Sequence, residues 1–336
     1  MGLLLLAAIG VAVSVLLATN GSSAPRHQTA RVGPGHAAPV ATHAAAQTPP
    51  SSFAVGLRVL RFLDSSRTIT LPDGSTSPRS LLTYVRYPAL GAPGKADLPG
   101  APAASASGPF PLVVFGHGFN VTPSLYARLL HSWAQAGYVV ASPVFPLENP
   151  NAPGGPNEAD LINQPADVRF VISRMLASSR LSSDPLAGLI DPAAIAVAGH
   201  SDGGDTALAV AYDPRSRDPR VDAAVVLSGA ETPATGEFAF PTEGPPLLAT
   251  QGTADAVNAP SLTYAFFEAA GRPKYLLRLL GAEHVPPYSE EQPQLSIVER
   301  VTVAFLDGYL KRRQPALRRL SSLGSVRGTS TLVAEP

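Results

Sequence analysis

The sequence predicts an α/β domain with a mostly parallel central sheet, helices on both faces of that sheet, and antiparallel strands at its N-terminal side. From about residue 110 to residue 312, short apolar runs alternate with amphipathic helical segments, which is the pattern of parallel strands joined by crossover helices. Before them, two longer strand-like segments flank the turn Pro72-Asp73-Gly74, which indicates a hairpin.

The first fifty residues are expected to precede the folded domain. Residues 3–18 form an uncharged apolar run, LLLLAAIGVAVSVLLA, which would span roughly 24 Å as a helix. This length suits a signal peptide, but neither Lys nor Arg precedes the run, so we interpret residues 1–20 as a signal peptide or an N-terminal membrane anchor. Residues 21–51 are rich in Ala, Pro and Gly without any period, which predicts a flexible linker. The chain is therefore predicted to be secreted or membrane-anchored, outside the cytoplasm.

The α/β domain is predicted over residues 52–312. After the N-terminal strands we expect strands at about 112–115, 138–142, 194–198, 222–227, 246–250 and 275–280. The helices between them are expected at about 124–135, 165–177, 203–212, 261–270 and 295–312. Residues 313–336 are polar, basic and without clear periodicity, which predicts a disordered tail.

Composition excludes several classes of function. The chain carries 25 basic and 25 acidic residues, so its charge gives no basis for a nucleic-acid partner. It contains no cysteine, which excludes disulfides, thiolate metal sites and a cysteine nucleophile. No metal site is predicted, and serine remains as the candidate for covalent chemistry.

The most informative motif is Gly199-His200-Ser201-Asp202-Gly203, which follows a predicted buried strand and opens a helix rich in small residues. In this context G-x-S-x-G predicts a sharp strand-to-helix turn with the serine at its apex. The glycines leave room for the close approach of neighbouring backbone, and the helix directs its N-terminal N–H groups at the place where negative charge develops during acyl transfer.

A serine hydroxyl needs a base, and the base needs an acid that orients it. At turns of this kind the acid and then the histidine follow the serine along the chain. His284 is the one histidine after Ser201, in a loop that leaves the predicted strand at 275–280. Asp255, after the strand at 246–250, is the favoured acid, and Glu231, one strand earlier, is its rival.

Stabilisation of an oxyanion would require two N–H donors. The N–H of Asp202, directly after the serine, is the first predicted donor. The second is the N–H of Phe119, in the glycine-containing loop 116–120 that follows the strand at 112–115. The carboxylate of Asp202 would oppose the oxyanion if it faced the pocket, which predicts discrimination against anionic substrates.

Other side chains near these loops are predicted to make structural hydrogen bonds or to line the pocket. His117 and His200 belong to turns, and we interpret both as making structural hydrogen bonds. Phe119, Phe145 and Leu147 are predicted to line the substrate pocket.

These motifs resemble the α/β-hydrolase superfamily. Within it, the chain resembles the bacterial dienelactone-hydrolase-like, chlorophyllase-like and cutinase-like polyester hydrolases. The matching segments are Gly116-His117-Gly118-Phe119, Gly199-His200-Ser201-Asp202-Gly203-Gly204, Gly252-Thr253-Ala254-Asp255 and Gly281-Ala282-Glu283-His284. The family usually carries a neutral or basic residue after the serine, and Asp202 departs from that pattern.

The resemblance implies the α/β-hydrolase fold over residues 52–312 and a serine hydrolase that cleaves carboxylic esters through an acyl-enzyme, with no cofactor. A small-molecule or polymeric ester would be the substrate, and the N-terminal apolar segment could associate the enzyme with a membrane. Two alternatives stay open at this point. One is a cell-envelope acyltransferase with the same triad, and the other is a non-catalytic surface protein on a hydrolase scaffold.

Overall fold

A mixed sheet forms the centre of the protein in the computed structural model, which describes residues 52–232, 234–235, 240–241 and 243–336. The predicted leader and linker, residues 1–51, lie outside the described residues. Within the described part the sheet contains ten strands: β1 (Ala54–Thr70), β2 (Thr76–Ala89), β3 (Asp97–Pro99), β4 (Phe110–Gly116), β5 (Val139–Val144), β6 (Ile190–His200), β7 (Ala223–Leu227), β8 (Leu247–Gly252), β9 (Lys274–Leu279) and β10 (Ser330–Glu335).

The strand order is β10-β9-β8-β7-β6-β4-β5-β2-β1-β3. The six strands from β9 to β5 in this order are parallel. The long hairpin of β1 and β2 adds antiparallel strands at one side, and β10 pairs antiparallel with β9 at the other. The predicted fold class, a mostly parallel sheet with antiparallel N-terminal strands, is therefore confirmed.

Helices cover both faces of the sheet, because the central strands are apolar on both sides. One face packs against α2 (Gln164–Arg180), α3 (Asp202–Tyr212) and α4 (Pro260–Ala269). The other face packs against α1 (Ala127–Gln135), α6 (Gln294–Tyr309) and α7 (Gln314–Gly324). A single helical turn, α5 (Pro286–Ser289), precedes α6. Among the described residues, no helix combines the length and apolar character needed to cross a bilayer.

The connections place a crevice at the carboxyl ends of β4 and β6, which are neighbours in the sheet. The chain leaves β4 toward α1 on one face, whereas it leaves β6 directly into α3 on the other. Two adjacent parallel strands whose connections diverge in this way open a binding crevice at their carboxyl ends. The predicted serine turn and the predicted oxyanion loop both lie at this crevice.

The prediction of a disordered tail over residues 313–336 is wrong. Residues from Gln314 to Gly324 form α7, which buries Leu320 in the core, and β10 extends the sheet beyond β9. The folded domain therefore runs to the last residues of the chain and not to residue 312. The polar sequence of these two elements fits their position at the edge of the molecule, where one side of each faces solvent.

Candidate active site

Ser201 occupies the apex of the turn between β6 and α3 in a strained conformation. Its backbone has φ 54° and ψ −126°, a region that residues with a side chain seldom adopt. The turn is held in place because the N–H of Ser201 donates to the main-chain oxygen of Leu227 (3.0 Å), while its own carbonyl accepts from Gly204 and Asp205. Such strain persists where the surrounding structure enforces it, and it is concentrated at functional sites.

Two glycines make this turn sterically feasible. A Cβ at Gly199 would lie 1.9 Å from the carbonyl oxygen of Gly203, and a Cβ at Gly203 would lie 2.1 Å from the carbonyl oxygen of Gly116. Neither position can carry a side chain without displacing backbone. The glycine spacing of the motif therefore has a direct cause in the packing of α3 against β4 and β6.

His284 and Asp255 form a buried hydrogen-bonded pair. The His284 Nδ1 lies 2.8 Å from Asp255 Oδ2, and both residues are less than a tenth exposed. The main-chain N–H groups of Val257 and Asn258 donate to Asp255 Oδ1. Burial by itself would raise the pKa of Asp255, but the hydrogen bond and charge interaction with His284 and the N–H of Asn258 outweigh burial and lower the pKa. The carboxylate form of Asp255 is thus favoured next to the imidazole.

Both residues that flank Ser201 interact with His284. The rings of His200 and His284 are 4.6 Å apart, and His284 carries one of the charges that influence the pKa of Asp202. Among the described residues, the hydroxyl of Ser201 makes no hydrogen bond to His284. Such contacts are often long in unliganded enzymes and close when substrate binds. Ser201 and His284 therefore lie at one site, without a hydrogen bond between the serine hydroxyl and the imidazole.

His200 joins loop 116–120, the predicted oxyanion loop, to the loop of His284. Its Nε2 lies 2.9 Å from the main-chain oxygen of His284, and its Nδ1 lies 2.8 Å from the hydroxyl of Tyr126. The same hydroxyl accepts from the N–H of Gly118 (3.4 Å). A neutral ring that donates from Nε2 to the carbonyl and accepts at Nδ1 from the Tyr126 hydroxyl satisfies this pattern. Burial, together with the nearby charge of His284, lowers the pKa of His200 to about 3, which keeps the ring neutral.

The expectation that His117 makes structural hydrogen bonds is confirmed. Its Nε2 accepts from the N–H of Phe145 (2.9 Å), and its Nδ1 lies 2.8 Å from the carbonyl oxygen of Gly118. Burial lowers the pKa of His117 to about 4, so this ring is also neutral. The interpretation of His200 as a structural residue is confirmed in the same way, but its connection to His284 was not foreseen.

The N–H groups predicted to bind an oxyanion lie on the two sides of the crevice. In the loop after β4, the N–H of Asn120 donates to Glu148, whereas the N–H of Phe119 has no acceptor among the described residues. The N–H of Asp202 is the first of α3, so it has no partner in a preceding helical turn, and it lies against its own carboxyl group. Among the described residues, neither N–H group donates to another residue, so both remain candidates for binding an oxyanion.

Asp202 is a buried acid at this site. Asp202 is 8% exposed, and its side chain lies close enough to that of Glu148, which is fully buried, for each acid to shift the pKa of the other. Burial and the charge of Glu158 raise the pKa of Asp202 to about 6. The second acid of the helix, Asp205, is also buried and accepts from the N–H of Ala230 (2.6 Å). The serine is thus followed by acids that point into the protein and not toward solvent.

The three residues predicted to line the pocket differ in their exposure to solvent. Phe119 is 37% exposed and open to a ligand, and Leu147 is half-buried. The prediction for Phe145 is wrong, because its ring is completely buried and packs on His117 at 4.8 Å. Of the two candidate acids, Asp255 contacts His284, whereas Glu231 lies on an exposed part of the loop after β7. Within the described ranges, no group of three or more acidic or histidine side chains is arranged to hold a metal ion.

Sequence reasoning missed three residues that shape the site. Glu148 lies next to Asp202, Tyr126 contacts His200, and Ser228 helps to lower the pKa of Asp255. Ser228 has a positive φ of 44° at the end of β7, next to the serine turn. No local motif marks these positions, and only the tertiary structure brings them to the site.

A sequence profile of the chlorophyllase family matches residues 91–259, half of the chain. The chain belongs to the chlorophyllase family. This is an α/β-hydrolase family, so the enzyme is a carboxylic-ester hydrolase. The matched segment includes the oxyanion loop, the serine turn and Asp255, and it ends before His284.

The fold of this chlorophyllase-family enzyme is similar to that of a solved structure over most of its length. It is similar to a ferulic acid esterase from Streptomyces cinnamoneus, with 23% sequence identity and a TM-score of 0.58. The match covers 80% of this chain and 93% of the esterase. At this identity the likeness shows the fold. No curated protein matches the chain in sequence.

Proposed function

We propose that the enzyme cleaves carboxylic esters through a covalent intermediate on Ser201, with His284 as general base and Asp255 as its orienting acid. One observation carries the proposal: the strained serine lies at the same crevice as the hydrogen-bonded pair of His284 and Asp255. A strained serine alone would be weaker support, since a serine hydroxyl is a poor nucleophile without an adjacent base.

In the first half of the reaction, Ser201 Oγ attacks the ester carbonyl and its proton passes to His284 Nε2. The carbonyl oxygen becomes an oxyanion, which accepts hydrogen bonds from the N–H groups of Phe119 and Asp202. The bond to the leaving oxygen then breaks, and the alcohol takes the proton from His284. The acyl group remains on Ser201 as an ester.

In the second half, water gives a proton to His284 while its oxygen attacks the acyl-enzyme. The resulting oxyanion is bound by the same N–H groups. When the bond to Ser201 Oγ breaks, His284 returns the proton to that oxygen and the carboxylic acid leaves. The enzyme ends in its starting protonation state, so the cycle needs only ester and water.

Asp255 serves this cycle by holding one tautomer of His284. Its Oδ2 accepts from the Nδ1–H of the imidazole, which leaves Nε2 free to accept the proton of Ser201. The two main-chain N–H groups on Oδ1 fix the carboxylate, and the side-chain amide of Gln251 donates to Oδ2 (3.1 Å). The negative charge of Asp255 also stabilises the imidazolium that forms in each half-reaction.

The proposed substrates are small-molecule or polymeric carboxylic esters outside the cytoplasm. The half-exposed ring of Phe119 lies beside its own oxyanion-binding N–H and offers an apolar surface next to the scissile bond. Export through residues 1–20 is supported by the length and apolar character of the run at residues 3–18. Cell fractionation of a producing strain, with N-terminal sequencing of the exported protein, tests both the location and the cleavage of the leader.

A panel of chromogenic esters of increasing acyl length tests the reaction. We expect wild type to hydrolyse some of them and Ser201→Ala to lose at least about 10³-fold in kcat. Asp255→Asn should lose about 10⁴-fold, because the amide favours the wrong imidazole tautomer. The exposed rival acid provides the matched control, and Glu231→Gln should stay within about twofold of wild type. Full activity in Ser201→Ala would refute the proposal.

Product analysis in the presence of an added alcohol separates hydrolysis from acyl transfer. We expect the free acid as the main product at all alcohol concentrations. Accumulation of the ester of the added alcohol would assign the same residues to an acyltransferase.

A further inference from the structure

Two buried carboxyl groups, those of Glu148 and Asp202, lie next to the serine turn. Glu148 lies in the loop after β5 and is fully buried, and Asp202 opens α3. The two carboxyl groups are close enough for each to shift the pKa of the other. Among the described residues, Glu148 Oε1 and Asp202 Oδ2 are both buried without a donor. Two ionised carboxylates offer only acceptors, so a proton held by one of them would supply the donor that these two buried oxygens lack.

The surroundings of this carboxyl pair favour retention of that proton. Burial and the neighbouring charges of Asp202 and Asp160 raise the pKa of Glu148 to about 9. The charged or titratable groups that influence the pair or lie next to it are Glu158, Asp160, Asp205, His284 and Tyr126. The nearby Arg79 is bound by Asp160 and Asp167. At neutral pH the pair therefore carries one proton and one negative charge.

The carboxyl pair also connects the two sides of the crevice. The main-chain oxygen of Glu148 accepts from the N–H of Asn120 (2.8 Å), the neighbour of Phe119 in the oxyanion loop. The side chain of Glu148 accepts from the amide of Gln164, and that amide accepts in turn from the hydroxyl of Thr206 on α3 (2.7 Å). Glu148 is thus linked to the oxyanion loop through its own backbone, and to α3 through the side chain of Gln164.

We propose that Glu148 is a positioning residue for ester hydrolysis. The proton that it shares with Asp202 keeps the two oxyanion-binding N–H groups, those of Phe119 and Asp202, at the relative position needed to bind one oxyanion. This inference rests on the proposed function. When hydroxide takes the shared proton, water forms and two negative charges remain in contact. Their repulsion pushes the serine helix and the oxyanion loop apart, and the second charge opposes the oxyanion. Activity should therefore fall at alkaline pH.

The test is the ratio of kcat/KM at pH 7 and pH 10 for a neutral ester, after subtraction of the rate with Ser201→Ala. For wild type we expect the rate to be about tenfold lower at pH 10, as for a group that titrates near pH 9. In Glu148→Gln the amide can accept from Gln164 and donate to Asp202, and it has no proton to lose in this range. The ratio in this variant should be close to one, whatever its absolute rate.

Two further variants complete the experiment. Glu158→Gln removes an exposed charge that helps to raise the pKa of both acids, but it leaves the shared proton in place, so the fall at pH 10 should remain at least about tenfold. Asp202→Asn replaces the other partner by a permanent donor, so it should also abolish the alkaline fall, and it serves if Glu148→Gln does not fold. A tenfold fall that persists in both carboxyl variants, or a wild-type rate that is constant to pH 10, would overturn the inference.

Failure of the inference is distinguishable from failure of the proposed function. If Ser201→Ala keeps wild-type activity, the proposed function fails. If that variant is inactive but the alkaline fall is absent or persists in the variants, only the role of Glu148 fails. A purely structural role of Glu148 would lower the rate by the same factor at both pH values.

Discussion

His200 Nε2 lies 2.9 Å from the main-chain oxygen of His284, so the residue before the serine holds the loop that carries the candidate base. The other side of the ring accepts from Tyr126, which in turn contacts Gly118 of the oxyanion loop. Three segments that are far apart in the chain are thereby fixed to one buried imidazole. The G-H-S-x-G motif thus contributes a connecting residue in addition to its serine.

Removing this connection should slow catalysis. His200→Phe keeps a ring between Tyr126 and Tyr288 but loses both hydrogen bonds, so His284 is less well placed. We expect kcat to fall about 10- to 100-fold with a smaller change in KM, as for a misplaced catalytic group. The matched control is His131→Phe, because His131 contacts Asp97 and Gly94 instead of the site. Equal kcat values in the two variants would contradict the role of His200.

The turn should not tolerate a side chain at Gly199. A Cβ there would meet backbone at 1.9 Å, so Gly199→Ala should lower the free energy of unfolding by about 3 kcal/mol or more, or prevent folding. Gly94→Ala is the control, since a Cβ at that position meets nothing within 4 Å. Thermal unfolding of both variants measures the difference. Similar melting temperatures would show that the turn is looser than described.

The buried His117 should make stability depend on pH. Its pKa is lowered in the folded state, so between about pH 6.5 and pH 4 the unfolded chain binds a proton that the folded protein does not. Its contribution is complete above pH 6.5 and is lost as the pH falls toward 4, a change of about 3 kcal/mol.

Urea unfolding of wild type and His117→Gln at several pH values isolates this effect. Buried carboxyls with a raised pKa, such as Glu148 and Asp202, act in the opposite sense in part of this range, so the comparison uses the difference between the two proteins. The advantage of wild type over the variant should shrink as the pH falls. An advantage that is constant from pH 7 to pH 4 would show that His117 is not buried as a neutral ring.

The C-terminal segment should contribute to stability. Leu320 is 1% exposed, so Leu320→Ala should cost about 2 to 4 kcal/mol, whereas exposed Arg318→Ala should change the free energy of unfolding by less than about 0.5 kcal/mol. Chemical denaturation measures both. Equal stability of the two variants would favour the disordered tail that composition alone predicts.

Much of the architecture could be predicted because its signals are local. Buried parallel strands appear as short apolar runs, and the helices between them show the matching amphipathic period. The C-terminal elements were missed although Leu317, Leu320 and Leu323 repeat every three residues along α7. Arginines, serines and a proline surround them, and the strand that follows is polar on its exposed side, so composition obscured the period.

The candidate site also contains residues that the sequence predicts and residues that it does not. Ser201, His284 and Asp255 follow from a motif and from chain order, which are properties of the sequence. Glu148 could not be found so, because it lies in an aperiodic loop and its contact with Asp202 depends on how that loop folds over α3. Residues that act through partners distant in the chain need the tertiary structure.

Covalent labelling tests the central claim most directly. Wild type is incubated with a serine-directed phosphonate ester, and the labelled peptide is identified by mass spectrometry, with Ser201→Ala and His284→Ala in parallel. We expect one label per chain on Ser201 in wild type, none in Ser201→Ala, and labelling slower by about 10³-fold or more in His284→Ala. A label on a different residue, or equal labelling rates with and without the imidazole of His284, would contradict the assignment of Ser201 as an activated nucleophile.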